Sequence, residues 1–332
     1  MKPAALVTGE VSPYRREPFR LLAEQEGVEV LAYRDVGQVR PARLVASGRY
    51  RAVIHGLGGR ITLPATYLAA RRAGIPFVLW ASVWAHPRSA AHALSWLPTR
   101  HLYRHADAVV TYGPHVSRYV ESIRGTRGNV FEAPQAVSAE QFGAAVAPRR
   151  LGDGFVLLFV GRLEREKGVE VLLEAWRRAD LAGGTLAFAG SGSLHPEGRG
   201  VRVLGAVERD ELPALYAGAG ALVLPSIRTA TFLEPWGFVV NEAMHQGTPA
   251  IASDAVGAAA GGLVRDGRNG LVVPAGDADA LAARIRMLAT DEGLRRRLGD
   301  AAREDVRAFS EAAWVAGMRD ALHAVGAAGV RP

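Results

Sequence analysis

ALVLPSIRTATFLEPWGFVVNEAMHQG, residues 221–247, decides how the rest of the chain is read. Its first four residues, Ala221–Leu224, form a short apolar run closed by Pro225-Ser226, which predicts a buried strand. The irregular loop that follows ends at Leu233-Glu234-Pro235. Pro235 fixes its own φ and pushes Glu234 out of the α region. From Gly237 on, Val239, Val240, Ala243, Met244 and Gly247 recur at helical spacing, so a helix opens there with one face turned inward. Glu242 and His245 lie on another face.

A helix opening in this way makes an anion site. The first amides, at Gly237, Phe238 and Val239, have no partner within the helix, and the dipole is positive there. Gly237 has no Cβ, so a ligand can approach the backbone. Side chains lean toward the N-terminus of a helix, which lets Glu242 point back to that end, while Glu234 stands just ahead of it. Carboxylates do not bind phosphate, but they accept hydrogen bonds from sugar hydroxyls. A diphosphate between a ribose and a hexose satisfies all three features. Acids that merely complement the dipole would leave the same pattern.

Glu234 and Glu242, with the EPWGFVVNEAM stretch spanning them, resemble the Glu-x7-Glu signature of retaining glycosyltransferases of the GT-B fold, family 4 type. Pro225-Ser226 upstream and GTPAIASD (247–254) downstream carry the same resemblance. It implies two Rossmann-like doubly wound domains facing across a cleft. The nucleotide-diphosphate sugar would lie on the second domain and the acceptor on the first.

A length of 332 residues predicts about two domains. With 49% apolar residues, each half can bury a core. No run approaches the ~18 apolar residues that span a bilayer. Glu10 comes too early for a signal peptide, so MKPAALVTGE reads as a first strand. The absence of cysteine excludes disulfides, thiolate metal sites and a Cys nucleophile. The chain is expected in the cytoplasm or peripheral to the inner face of the membrane.

Charge is unevenly spread. Residues 1–150 hold 20 lysines and arginines against 10 acids, and the other 182 hold 20 against 23. The basic first half points to an anionic partner, a phosphate-bearing acceptor, a lipid surface or nucleic acid, or else to arginine used on ordinary solvated faces. It lacks the interleaved aromatic and basic residues of an RRM or OB fold, so nucleic acid is not the expected partner.

Strands and helices alternate. In the first half the patterns predict strands over 4–8, 28–33, 52–55, 77–81, 108–112 and 130–133, with helices near 17–26, 63–73, 90–105 and 116–124. The second half repeats the scheme with strands 155–160, 185–189, 201–204, 221–224 and 250–253 and helices 169–179, 210–217 and 238–246. This implies two doubly wound α/β domains with ligands at the carboxyl ends of the strands. The join is expected within 138–154, giving an acceptor domain over 1–145 and a donor domain over 150–310. Ser310 is a candidate N-cap for a last helix, and the resemblance implies that helix 311–330 returns to the first domain.

FVLLFVGRLEREKGVEVLLEAW (155–176) carries the second strong signal. An apolar strand ends in Gly161, and Arg162 and Lys167 follow in a charged turn closed by Gly168. Arg can grip two phosphate oxygens while Lys acts as a point charge. The segment matches the family's Gly-Arg…Lys-Gly, whose cations bind the donor diphosphate. Ion pairs to Glu164 and Glu166 are the alternative use.

The loop after the first strand, TGEVSPYRREPFRLLAE, places Arg15, Arg16 and Arg20 at a ligand-bearing edge and resembles the acceptor-facing opening of some family members. HGLGGR (55–60) and GSGSLH (190–195) both fail the G-x-G-x-x-G fingerprint, with Ile61 and His195 where the last glycine belongs, so neither supports a nicotinamide enzyme. They read as tight strand–helix turns. In FVLWASVWAHPRSAAH (77–92) the family's loop histidine would stand close after Trp80, where this chain has Ser82; His86 is the nearest candidate. His92, His101 and His105 read as helix surface. The resemblance places the base against the backbone around 203–205, and GLVRDGRNGLVVP (262–274) reads as a structural loop.

The expected activity is transfer of a hexose from a nucleotide-diphosphate sugar to a glycan, lipid-linked or small-molecule acceptor, with retention and without metal or other cofactor. Arg162, Lys167 and the amides at Gly237, Phe238 and Val239 would stabilise the departing diphosphate, Glu234 would hold the hexose and Glu242 the ribose. No carboxylate pair at nucleophile distance, as in a retaining glycosidase, is evident. A nucleotide-sugar epimerase or phosphorylase on the same scaffold, or a binding protein without turnover, are the alternatives.

Overall fold

The computed structural model describes residues 2–329, apart from the side chains of 90–92, so His92 lies outside the described side chains. The chain divides into two compact units. One runs to Ala136 and takes up the chain again from Glu311, and the other is Val137–Ser310.

The first unit holds a six-stranded parallel sheet of β1 (Ala4–Thr8), β2 (Val28–Ala32), β3 (Val53–Gly56), β4 (Phe77–Ala81), β5 (Ala108–Thr111) and β6 (Val130–Glu132), ordered β2-β1-β3-β4-β5-β6. Both faces are covered, which is why the strands read as near-continuous apolar runs. Helices Arg40–Ala46, Thr62–Ala73, Ala90–His105 and Pro114–Arg124 bury Val45, Tyr67, Leu102 and Val120 on one face. Helices Arg16–Glu26 and Glu311–Ala324 bury Phe19, Leu22, Trp314 and Met318 on the other.

The second unit holds β7 (Val156–Val160), β8 (Thr185–Ala189), β9 (Val201–Gly205), β10 (Ala221–Leu224), β11 (Ala250–Ser253) and β12 (Gly270–Val273), all parallel, ordered β12-β11-β10-β7-β8-β9. That is the dinucleotide-fold order, and it reverses between β7 and β10. Asp277 caps helix Ala278–Thr290 by accepting from Ala280 N at 2.9 Å.

Each strand and long helix expected from the sequence forms, with ends shifted by no more than two residues, except that the last helix, expected over 311–330, ends at Ala324. Three readings are corrected. The Gly-punctuated segment 262–274 contains β12, which pairs with β11 over four residues. GSGSLH is not a strand–helix turn, because β8 runs on to β9 with no helix between them. The units part at 136/137, ahead of the expected join, because helix Ala139–Gly143 is tied into the second unit: Gln246 donates to the carbonyls of Phe142 and Ala144, and Arg209 to Gln141.

Candidate active site

The strand order reverses between β7 and β10, the point where sheets of this kind bring ligand-binding loops to the carboxyl edge. Beyond Gly161 the chain passes Arg162, makes a 3-10 turn at Arg165–Lys167, and enters helix Val169–Ala179 through Gly168. Gly168 has φ +74°, and a Cβ there would fall 2.0 Å from the carbonyl oxygen of Pro225. No larger residue allows this approach. Ile227 N donates to Glu166 O at 2.9 Å, so the two loops are joined backbone to backbone and Lys167 is delivered to the β10 loop.

Lys167 Nζ pairs with Glu234 Oε2, which also accepts from Ser226 Oγ at 3.1 Å. The ammonium lies 5.3 Å from the Phe232 ring. Glu234 is buried, and its backbone is fixed by a parallel bridge to Val256 and by Gly257 N donating to its carbonyl at 3.0 Å. A partly buried pair held like this is costly to break from one side, because the remaining charge loses its partner where water cannot replace it. Gly237, with φ +99°, then turns the chain into helix Phe238–His245; a Cβ there would sit 2.5 Å from the Leu224 side chain. The helix therefore opens directly against the end of β10. Trp236 between these groups is core: its indole N–H donates to Asn241 at 2.7 Å and its ring packs on Phe309.

The other expected site residues are placed differently. Arg162, 59% exposed, pairs with Glu166 at 2.8 Å in solvent. Glu164 is engaged by Ser193, which donates from Oγ at 2.6 Å and from N at 3.1 Å. Glu242 is buried and accepts from Tyr216 Oη at 2.6 Å. Burial pushes its carboxyl above the ordinary range, while the Tyr216 hydroxyl and nearby Arg209 pull it back. Burial and the Glu242 charge push the Tyr216 phenol well up as well. The two carboxylates thus differ: one faces a lysine, the other a tyrosine. Ser226 and Tyr216 were not expected from sequence, since hydroxyl partners leave no periodic or charge signal.

A carboxyl raised on folding holds its proton to higher pH in the native than in the unfolded chain. Stability attributable to Glu242 is therefore greatest at low pH and falls as pH rises through the window above the ordinary carboxylate value. Glu242→Gln keeps an acceptor for Tyr216 and removes that fall. Its melting temperature is expected to gain on the parent between pH 5 and pH 7; parallel melts across that range check this, and a constant difference would sink it.

In the first unit, Arg15 is 4% exposed. It donates to Gln135 and, at 3.3 Å, to Tyr112 Oη, and its guanidinium lies 4.6 Å from the Trp80 ring. With Tyr33, Gly9, Gly58 and Ser82 it lines a cavity of about 240 Å³ at the carboxyl edge. Arg16 is exposed, and Arg20 is taken up by Glu17 and Glu24. His86, half-buried in the loop after β4, packs on Trp96 at 4.6 Å. His101 and His105 are exposed on their helix, and His101 Nε2 meets Tyr67 Oη at 3.2 Å. His55 is fully buried, which pushes it down to about 4 and makes it a neutral core group. Among the described residues no three His, Asp or Glu side chains come together as a metal site, and no helix is long and apolar enough to cross a membrane.

The sequence model of the glycosyl transferases group 1 matches residues 146–305. The lipopolysaccharide core biosynthesis glycosyltransferase LpsE of Rhizobium meliloti is 31% identical over 270 residues, 74% of this chain and 75% of that protein. A glycogen synthase of Mycobacterium tuberculosis is 31% identical over 227 residues, 64% of this chain and 52% of that one; the chain spans about half the length of several curated relatives it matches. Among solved structures, sucrose-phosphate synthase from Thermosynechococcus elongatus has a TM-score of 0.76 at 21% identity, covering 98% of this chain and 100% of that one. HepE of Anabaena, solved with UDP and glucose, has 0.72 at 18%, covering 97% and 100%. At these identities the structural likeness is one of fold, two parallel sheets of the GT-B kind. Together with the LpsE match over three quarters of both chains, it leads to one conclusion: the chain belongs to the glycosyl transferases group 1 family.

Proposed function

We propose that the chain transfers a hexose from a nucleotide-diphosphate sugar to an acceptor hydroxyl, with retention and without a metal ion. The observation that carries this reading is the Lys167–Glu234 pair, seated at the β7/β10 reversal beside the opening of helix Phe238–His245. In this structure the two charges satisfy each other. When donor binds, Lys167 turns to the diphosphate and Glu234 to hexose hydroxyls, so neither charge is left alone in the buried state.

The anomeric C–O bond to the diphosphate breaks as the acceptor oxygen bonds to the same carbon. The hydroxyl proton passes to the departing phosphate oxygen on the same face. Lys167, Arg162 and the amides at Gly237, Phe238 and Val239 stabilise the growing negative charge, which is where preorganised donors have their largest effect. The Glu242 carboxyl holds the ribose through the oxygen that Tyr216 does not use. His86 acts as the catalytic loop histidine, reached by the sugar or its leaving phosphate, and Arg15 and Arg16 serve the acceptor side. The acceptor is a glycan, lipid-linked or small molecule, and a membrane contact, where it occurs, falls to the basic first unit.

A thermal-shift screen with UDP-, GDP- and ADP-sugars tests donor binding. UDP-sugars come first because HepE was solved with UDP and glucose. Donor at 100 times its Kd stabilises the native state by about 2.7 kcal/mol; no shift with any of the three overturns the reading. Release of nucleoside diphosphate only when acceptor is added separates transfer from epimerisation, and bound donor without turnover would leave a binding protein. EDTA is expected to leave turnover within about twofold, since two cations and a helix start supply the charge. A metal-restorable loss would move that task away from Arg162 and Lys167.

A further inference from the structure

Between Val36 and Ala106 the chain contains ten arginines and no aspartate or glutamate. Among the described residues the two most exposed large apolar side chains fall in this segment, Leu94 at 83% and Leu97 at 71%, together with Ile61 at 56% and Leu68 at 51%. Single exposed apolar residues need no explanation. Their placement here does.

Tyr67 Oη meets His101 Nε2, and Arg71 Nη2 donates to the His105 carbonyl at 2.6 Å. Both pairs are 34 positions apart and tie the C-terminal half of helix Thr62–Ala73 to the last turns of helix Ala90–His105. Along each helix the apolar side chains share an outer stripe with arginine: Ile61, Leu68 and Arg72 at spacings of about seven and four, Leu94, Leu97 and Arg100 at spacings of about three. Arg60, Arg72, Arg88 and Arg100 form no ion pair or hydrogen bond among the described residues. Asp107, the nearest acid in sequence, is tied to Arg71 and to the backbone N of Phe77.

We infer that this helix pair docks on the surface of a bilayer carrying anionic lipid. Exposed leucines enter the headgroup boundary while unpaired arginines meet the lipid phosphates. A nucleic acid would use the arginines but not the leucines. A second copy would cover the leucines only by bringing two arginine fields together. The patch adjoins the loops after β3 and β4, the edge where the Arg15 cavity opens. If the proposed transfer holds, the acceptor is then carried on a lipid; the docking itself does not depend on that reading.

Co-sedimentation of the full chain with phosphatidylglycerol–phosphatidylcholine vesicles, against phosphatidylcholine alone, tests it. Binding is expected to be at least about tenfold tighter to the anionic vesicles and to weaken as salt rises. L94S/L97S and R72E/R100E should each lower partitioning about tenfold, with unchanged melting temperature and unchanged donor-induced thermal shift. Equal retention on the two vesicle types, or both variants retained like the parent, overturns the inference. So does a DNA duplex bound as tightly as the anionic vesicles, or a dimer that L94S/L97S abolishes. Loss of the donor shift in the parent chain would count against the transferase reading instead.

Discussion

Lys167→Ala is expected to lower kcat/KM by about 10²–10³, mostly in kcat, the usual cost of removing one preorganised charge donor from a developing anion. Arg162→Ala should cost about tenfold, because a guanidinium 59% exposed and paired in solvent is less preorganised than a lysine 15% exposed. Lys167 also neutralises Glu234, so its loss should destabilise the unit as well. A double variant separates the two roles. Lys167→Met with Glu234→Gln removes both charges, and Ser226 can still donate to the amide oxygen. Thermal stability should return toward the parent while turnover stays low. Recovery of turnover in the double variant would reduce Lys167 to a structural partner. Unchanged kinetics in both Lys167→Ala and Arg162→Ala would sink the diphosphate assignment.

The sheets were legible because parallel strands covered on both faces are apolar throughout. Val156–Val160 and Ala221–Leu224 are fully buried runs closed by Gly161 and Pro225, and both were read to within a residue. β12 was not legible for the opposite reason. It is four residues long at the edge of its sheet, and Asn269-Gly270, which runs into its first residue, signals a turn. Helices Tyr33–Val36 and Ala139–Gly143 were too short to show a period.

The candidate site was legible by element but not by contact. Glu234 and Lys167 could be placed at their strand ends, yet nothing in residues 67 apart says that they touch. Arg15 shows the limit more sharply. A loop with three arginines suggested an open cationic surface. Arg20 is instead neutralised at i−3 and i+4 by Glu17 and Glu24, a pattern that could have been read from spacing. Arg15 is buried among Trp80, Tyr112 and Trp314, which come from three distant segments and give no local warning.

Gly190→Ala is expected to be the most destabilising single-methyl change near the site. Gly190 has φ +144°, and an added Cβ would stand 1.9 Å from the Gly161 carbonyl oxygen. The obstacle is backbone, so no rotamer relieves it. The same two loops are held by Gly161 N donating to Ala189 O at 3.0 Å and Leu163 N to Ser191 O at 2.9 Å. Strain at such a φ costs about 1–3 kcal/mol and overpacking about as much again, together about 2–6 kcal/mol. For a unit of this size each kcal/mol lowers the melting temperature by about 2–4 °C, so a drop on the order of 10 °C is expected. Gly183→Ala is the control, because φ is +72° there but nothing stands within 4 Å of the new Cβ. It should cost about 1 kcal/mol from backbone strain alone. Since the Gly190 loop braces the turn that carries Arg162, Gly190→Ala should also weaken the donor-induced thermal shift, whereas Gly183→Ala should leave it intact. Equal melting temperatures for the two variants would mean that the β7 and β8 loops can separate freely, and Arg162 would then lack the rigid support that a diphosphate contact requires.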